Sequence, residues 1–140
     1  KFLPWWQMLN CGPEHDPGPK QEYAGRTNVF ATTPLDQRTP CRLMSTLTVP
    51  RDGRPRLHLV VGHHPEGRWQ LVVRGDGKDL LTRTVDRSTA KDGWLELDVD
   101  LAAYLGKAVR VELVHQALDW NHPGAYWAQV KVVRDEQPGS

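Results

Sequence analysis

The feature that most constrains this chain is a series of short stretches in which apolar and polar residues alternate. The stretches are separated by turn signals, and none of them repeats with the period of a helix. Asp76-Gly77 joins two of them and suits a type I′ hairpin, because both central residues of that turn need a positive φ. The clearest stretches are residues 41–49, 56–64, 69–74, 79–85, 94–101, 109–116 and 125–133. The pattern predicts an all-β chain.

The number and spacing of these stretches predict the architecture. With further stretches near residues 7–11 and 28–32, the chain has roughly eight or nine strands, which is typical of a two-sheet antiparallel β-sandwich or jelly roll. A length of 140 residues suits one domain. We therefore expect one β-sandwich module over residues 1–136, with an irregular Pro-rich segment at 12–40 and a linker or appended tail at 137–140.

The distribution of charged and apolar residues argues against two classes of partner. The 18 basic and 17 acidic residues give a net charge of +1 and form no block of like charge, whereas a nucleic-acid-binding protein usually carries a basic stripe. No apolar run approaches the ~20 residues that a membrane-spanning helix needs. We expect neither a nucleic-acid partner nor a membrane.

The two cysteines, Cys11 and Cys41, flank a segment rich in Pro, Gly and Asp. In an oxidising compartment they would close a loop worth ~3.6 kcal/mol in the chain-entropy model. The alternative is two free buried thiols in a cytosolic protein. The disulfide is the favoured interpretation, because an irregular segment gains most from such a link.

One part of the sequence carries a family resemblance. The run GWLELDVDLAAYLGKAVRVELVHQ, a polar loop and then GAYWAQVKVV resemble the galactose-binding-like jelly rolls that occur as carbohydrate-binding modules of large secreted bacterial proteins. The resemblance covers roughly residues 41–133. It implies non-catalytic glycan binding by loops at one end of the sandwich, an extracellular or periplasmic location, a larger parent protein and, in some relatives, a structural Ca²⁺. It also implies that Trp94 and Trp127 pack inside the sandwich.

Recognisable catalytic motifs are absent from the sequence. There is no Gly-x-Ser-x-Gly elbow, no His-Glu-x-x-His motif, no phosphate-binding P-loop and no Cys-x-x-Cys pair. Glu96, Asp98 and Asp100 share the polar face of one strand, whereas a glycosidase needs two carboxyl groups that face each other across a cleft. We expect no enzymatic activity unless two carboxylates prove to face each other in that way.

Two similar loops locate a candidate binding site. Residues 59–69 and 113–127 each run from an apolar strand through a His-Pro loop to a glycine and then an aromatic strand start. If the two preceding strands lie in the same sheet and point the same way, both loops emerge at one rim. That rim would gather His63, His64, His115, Asp119, Trp120, Asn121 and His122.

The candidate site has the groups that bind a sugar. Trp120 would stack on the C–H face of a pyranose, and the amide, carboxylate and imidazole groups would bond its hydroxyls. The competing interpretation is that Trp120 folds back as a plug over the end of the sandwich. A second function stays open, a structural domain that docks onto its parent protein through Trp5, Trp6 and the Pro-rich segment.

Metal binding is a third, weaker hypothesis. His63, His64, His115 and His122, with Asp119, could hold Zn²⁺ or Cu²⁺. The favoured alternative is that His63 and His115 are hydrogen-bonded at the edge of the core while the other two histidines face solvent. Glu14 and Asp16 could hold a structural Ca²⁺, although a rigid Pro-rich connection explains that segment better. Otherwise we expect no cofactor.

Overall fold

The computed structural model describes residues 6–9, 11, 18–23, 26–34 and 36–135. This part of the chain forms ten strands and one short 3₁₀ helix. The strands are β1 Gln7–Leu9, β2 Gly18–Tyr23, β3 Arg26–Thr32, β4 Cys41–Thr48, β5 Arg54–His63, β6 Trp69–Gly75, β7 Lys78–Val85, β8 Trp94–Asp100, β9 Ala108–Ala117 and β10 Ala125–Asp135, and the 3₁₀ helix is Ala102–Tyr104.

The strands form two five-stranded antiparallel sheets. The first sheet has the order β1-β4-β9-β6-β7 and the second has the order β2-β3-β10-β5-β8. Apolar residues from both sheets meet in one core, in which Trp69 and Trp127 lie with ring centroids 5.4 Å apart. The predicted all-β sandwich is confirmed.

The β6–β7 hairpin has the conformation that Asp76-Gly77 predicts. Asp76 has a φ of 50° and Gly77 a φ of 83°. The Asp76 carboxylate also accepts a hydrogen bond from the backbone N–H of Arg110 on β9 at 2.9 Å. The turn therefore ends one hairpin and attaches it to the neighbouring strand.

Part of the segment that we expected to be irregular is a hairpin. β2 and β3 lie within residues 12–40 and pair with each other, and β3 also pairs with β10 in the second sheet. β2 is the edge strand of that sheet, and prolines such as Pro19 are largely confined to edge strands, where half of the backbone N–H groups have no neighbouring strand to bond. Its sequence, GPKQEY, does not alternate, so its pairing partner alone identifies it as a strand.

The family resemblance implied that Trp94 packs inside the sandwich, and this expectation is wrong. Leu95 and Leu97 of β8 pack against the main core, so Trp94 points to the opposite side of the second sheet. There it covers Gly62, where a Cβ atom would lie 3.0 Å from the indole. Val29 and Val60 complete a small separate cluster with it. The missing side chain at residue 62 makes room for the indole outside the sandwich.

Four connections meet at one end of the sandwich, which we call the rim. They are residues 33–40 without residue 35, and residues 64–68, 86–93 and 118–124. The strand register places them together, because His63 pairs with Ala125 and Trp69 pairs with Ala117. β5 and β9 lie in different sheets, however, so the condition of a common sheet is not met. The two His-Pro loops cross between the sheets in opposite directions and still reach the same end.

Candidate functional site

A chain of buried hydrogen bonds supports the rim from below. The indole Nε1–H of Trp127 donates to the Thr32 hydroxyl oxygen at 2.9 Å. That oxygen lies 3.0 Å from Nδ1 of His115, and Nε2 of His115 lies 2.6 Å from the carbonyl oxygen of Pro123. Because a carbonyl only accepts, Nε2 carries the proton, and the Thr32 hydroxyl therefore donates to Nδ1. These bonds fix residues 118–124 to the core.

His115 belongs to the core and not to the ligand-facing surface. Its side chain is 0% exposed, and both of its ring nitrogens are hydrogen-bonded. Desolvation lowers the pKa of His115 to about 3, although the bond to Pro123 acts in the opposite direction. The imidazole is therefore neutral at physiological pH. Its inclusion among the ligand-contacting residues is corrected to a supporting role beneath the rim.

His63 is the second histidine that lies inside. It is 5% exposed, and its Nδ1 lies 2.6 Å from the backbone carbonyl oxygen of His64. His63 pairs with Ala125 at the first residue of β10, where the two sheets approach the rim. His63 and His115 therefore lie hydrogen-bonded at the edge of the core, as the alternative to metal binding predicts.

His64 and His122 join the two His-Pro loops. Their rings stack with centroids 4.1 Å apart and planes inclined by 12°. Nδ1 of His64 accepts a hydrogen bond from the backbone N–H of Glu66 at 3.1 Å, so a neutral His64 ring carries its proton on Nε2. Two imidazoles that stack face to face direct their in-plane lone pairs along parallel planes, which does not suit a shared metal ion. Among the described residues no group of three or more His, Cys, Asp or Glu could hold a metal.

Gly67 allows the close approach of these loops. A Cβ atom at residue 67 would lie 2.4 Å from the backbone oxygen of His122 and 3.1 Å from Cβ of His64. The N–H of Gly67 donates to the carbonyl oxygen of His64 at 2.8 Å, which tightens the first loop into a turn. The His64–His122 stack therefore depends on a residue without a side chain.

Residues 119–122 form a turn that is fixed by its own first residue. The Asp119 carboxylate accepts a hydrogen bond from the N–H of Asn121 at 3.0 Å, and its carbonyl oxygen accepts one from the N–H of His122 at 3.2 Å. This local pattern is the reason that aspartate is common at such turns. Asp119 therefore shapes the loop, and Trp120 and Asn121 lie at its tip.

The turn separates two hollows. The rim pocket, about 190 Å³, is lined by Ala31, Thr32, Thr33, His64, Asn121, His122, Pro123, Gly124 and Tyr126. The tryptophan groove, about 440 Å³, is lined by Gln37, Arg68, Ala117, Leu118, Asp119 and Trp120. The seven residues predicted from the sequence therefore divide into pocket residues, groove residues and the two buried histidines. Trp120 is half-buried, so it is neither a fully open platform nor a buried plug.

The lining residues that were missed from the sequence include Thr33, Gln37, Arg68 and Tyr126. Tyr126 carried a signal, because it alternates with the core residue Trp127 and must face away from it. Gln37 lies on the β3–β4 connection, and its carbonyl oxygen accepts a hydrogen bond from the Gln116 side chain at 3.0 Å. That contact spans 79 residues and has no local sequence signature.

The other end of the sandwich has a larger hollow, of about 460 Å³, with charged walls. Asp98 and Asp100 project into it from the same side of β8 and therefore do not face each other across a cleft. A hydrogen bond from His58 and a second from Arg56, each at 2.9 Å, lower the pKa of Asp98 despite some desolvation. A general acid of a glycosidase needs a raised pKa instead. The arrangement offers no support for glycosidase chemistry.

Several sequence expectations concern the N-terminal region. Cys11 and Cys41 form a disulfide with Cα atoms 4.6 Å apart. Trp6 is half-buried and packs against the main core, so it is not a free docking residue. Trp5, Glu14 and Asp16 lie outside the described residues. No helix in the described part of the chain has the length and apolar character needed to cross a bilayer.

Comparison with known proteins was made by sequence and by structure. No protein-family model matches the sequence, and no curated protein matches it. Solved structures do match. A family 61 carbohydrate-binding module in complex with β-1,4-galactotriose has a TM-score of 0.63 and 10% identity, covering 96% of this chain and 91% of that one.

Two further structures have the same architecture at similarly low identity. A family 35 carbohydrate-binding module from Clostridium thermocellum has a TM-score of 0.61 and 12% identity, covering 93% of this chain and 92% of that one. The K1 cleaved adhesin domain of Lys-gingipain from Porphyromonas gingivalis W83 has a TM-score of 0.61 and 16% identity, covering 95% of this chain and 92% of that one.

An apo-form cyclase from Fischerella sp. is also similar, with a TM-score of 0.59 and 12% identity, covering 98% of this chain and 87% of that one. The fold is therefore shared by binding modules and by at least one enzyme, and function has to be argued from the site. The sheet order and these structural matches together show that the chain has a galactose-binding-like jelly-roll fold, a two-sheet antiparallel β-sandwich.

Proposed function

We propose that this chain is a non-catalytic carbohydrate-binding module whose glycan lies across the rim. The observation that carries the proposal is the meeting of the two His-Pro loops, which creates a pocket and an aromatic groove on either side of one turn. The buried bonds of His115 and the contact of Gly67 with His122 hold this surface in place before a ligand arrives. Such preorganisation reduces the entropy cost of binding.

The side chains of the rim match the chemistry of a sugar. Trp120 provides an aromatic face for the C–H side of a pyranose ring, in the groove that Asp119 and Arg68 also line. Asn121, His64 and His122 provide donors and acceptors for hydroxyl groups at the pocket. His63 and His115 support this set from below and do not contact the glycan.

The proposal includes a setting for the module. We propose an extracellular or periplasmic location, supported by the Cys11–Cys41 disulfide and by the cleaved adhesin domain among the structural neighbours. We also propose that it is one part of a larger parent protein. Binding needs no cofactor, and a Ca²⁺ ion at Glu14 and Asp16 stays an expectation of the family resemblance.

Three described carboxyl groups are unsuited to donate a proton to a leaving group at neutral pH. Those carboxyl groups of the described residues whose pKa values are shifted, Asp36, Asp86 and Asp98, all have lowered values because they accept hydrogen bonds. Lowered values keep these groups ionised at neutral pH, whereas proton donation to a leaving group requires a protonated acid.

A glycan array tests the proposal directly. The protein, Trp120→Ala, Asn121→Ala and the control Thr82→Ala are applied to immobilised glycans, and thermal unfolding verifies that each variant is folded. Thr82 is exposed on β7 and lines neither the rim pocket nor the tryptophan groove. We expect binding to a defined set of glycans, with at least a tenfold weaker signal for the first two variants and no change for the control. Binding to no glycan, or equal binding by all four proteins, would contradict the proposal.

A further inference from the structure

We infer that the rim pocket takes the terminal sugar of a neutral glycan chain, and that the next sugar lies against Trp120 in the tryptophan groove. This inference rests on the proposed glycan binding and adds the part of the chain that is recognised. It depends on the size of the pocket, its closed floor, its fixed walls and the chemistry of its lining.

The size of the pocket limits what can enter it. Its volume of about 190 Å³ is below the roughly 300–1,000 Å³ that is usual for pockets of drug-sized ligands. A single sugar ring is the part of a glycan that suits this volume. The remaining sugars must lie outside it, and the groove of about 440 Å³ on the other side of the 119–122 turn is the adjoining space.

The floor of the pocket is closed. Ala31, Thr32 and Pro123 line it and are all buried in the sandwich. The hydrogen bonds of His115 to Thr32 and to the Pro123 carbonyl fix this floor. Because the floor lies against the core, a sugar ring enters from the solvent side, and the volume of the pocket leaves no room for the sugars on both sides of an internal ring.

The walls of the pocket resist widening. His64 and His122 are stacked on each other, and Gly67 packs against the His122 backbone with no room for another atom. Separating the two loops would break the stack and the contacts around Gly67. The pocket therefore keeps its size when a ligand binds, and selects the end of the chain.

The lining favours a neutral sugar. Among the described residues that line the pocket there is no Lys, Arg, Asp or Glu, while Asn121, Thr33 and the Nε2–H of His64 provide hydrogen-bonding groups. A carboxylate or sulfate placed here would lose its bound water and would find no Lys or Arg among the described lining residues. Burying a charge without a partner of opposite charge costs binding free energy. The groove differs from the pocket, because Arg68 and Asp119, which have opposite charges, both line it.

Counting binding sites against chain ends tests the inference. The neutral polysaccharide that the array identifies, with β-1,4-galactan as first probe, is partially hydrolysed to give about tenfold shorter chains and titrated calorimetrically at equal mass. End recognition predicts about tenfold more binding sites per gram and competition by the free terminal monosaccharide. A number of sites that stays constant or falls overturns end recognition and leaves glycan binding intact, whereas no binding to any glycan overturns both.

A pocket-filling variant gives an independent readout. Gly124 lines the pocket, its φ lies outside the left-handed region, and a Cβ atom there would be 3.5 Å from the Tyr126 hydroxyl, an ordinary contact. Gly124→Val should fill the pocket and weaken binding of both monosaccharide and chain at least tenfold, and Gly124→Ala serves if the valine variant is unfolded. Trp120→Ala should weaken binding of the chain and spare the monosaccharide. Equal monosaccharide binding by wild type and a folded Gly124 variant would overturn the inference.

Discussion

His115 makes the stability of this protein depend on pH in a predictable way. Its pKa is lowered from 6.5 to about 3 in the folded chain, because burial disfavours the charged imidazole. Between these two values the unfolded chain binds one more proton at this residue than the folded chain does. The contribution of His115 to stability is therefore fully present above pH 6.5 and decreases as the pH falls toward 3.

The size of this effect follows from linkage. One proton difference changes the free energy of unfolding by about 1.4 kcal/mol per pH unit, so His115 alone should remove about 2–3 kcal/mol between pH 6.5 and pH 4.5. The lowered carboxylates Asp86 and Asp98 lose their stabilising contribution only as the pH falls below their ordinary pKa of 3.8. The range from 6.5 to 4.5 thus isolates histidine titration from carboxylate titration.

The variant His115→Gln separates this residue from the other histidines. Its amide N–H can still reach toward the Pro123 carbonyl oxygen, but it does not titrate. Urea unfolding, followed by tryptophan fluorescence at four pH values from 7.5 to 4.5, gives the free energy of unfolding of both proteins. We expect wild type to be more stable near pH 7, by about 1–3 kcal/mol, and this advantage to shrink as the pH falls. A difference between the two proteins that is the same at every pH would refute the reasoning.

Three further predictions concern the scaffold of the rim. Gly67→Ala places a Cβ atom 2.4 Å from a backbone oxygen, so it should lower the free energy of unfolding by about 1–3 kcal/mol and shift the NMR signals of the His-Pro loops; unchanged spectra would contradict the close packing. Replacing Cys11 and Cys41 by serine should cost about 3–4 kcal/mol in urea unfolding, and equal stability of the two proteins would count against the link. Thr32→Val leaves the buried Trp127 Nε1–H without its acceptor and should lower the free energy of unfolding by about 3 kcal/mol. The control Thr32→Ser keeps the hydroxyl and should lower it much less. An equal loss of stability in both variants would argue against the hydrogen bonds.

Local sequence signals predicted the elements of the fold well. Alternation identifies which residues of a strand share a face, and Asp76-Gly77 has the backbone that its turn type requires. Alternation does not say which sheet a strand joins, because that depends on pairing between distant residues. For this reason the sequence left open whether β5 and β9 share a sheet, and they lie in different sheets. The position of Trp94 failed for a similar reason, since its partner Gly62 is 32 residues away on a neighbouring strand.

The candidate site was predictable in part. The two His-Pro loops are adjacent at the rim, as their similarity suggested, and His64 and His122 touch. The division into a pocket and a groove was not predictable, because Thr33 and Gln37 come from the β3–β4 connection and Tyr126 from β10. In the sequence, only the alternation of residues along its strand separates the buried His115 from the partly exposed His64 and His122.

The central claim is that a glycan binds at the rim. Titration of ¹⁵N-labelled protein with an oligosaccharide from the array, and with β-1,4-galactotriose as the first probe, tests it most directly by NMR. The account predicts shifts concentrated in residues 64–68 and 118–124 and at the indole N–H of Trp120, while signals around the hollow of Arg54 and Asp100 stay unchanged. Shifts concentrated at that opposite hollow, or none with any glycan, would contradict it.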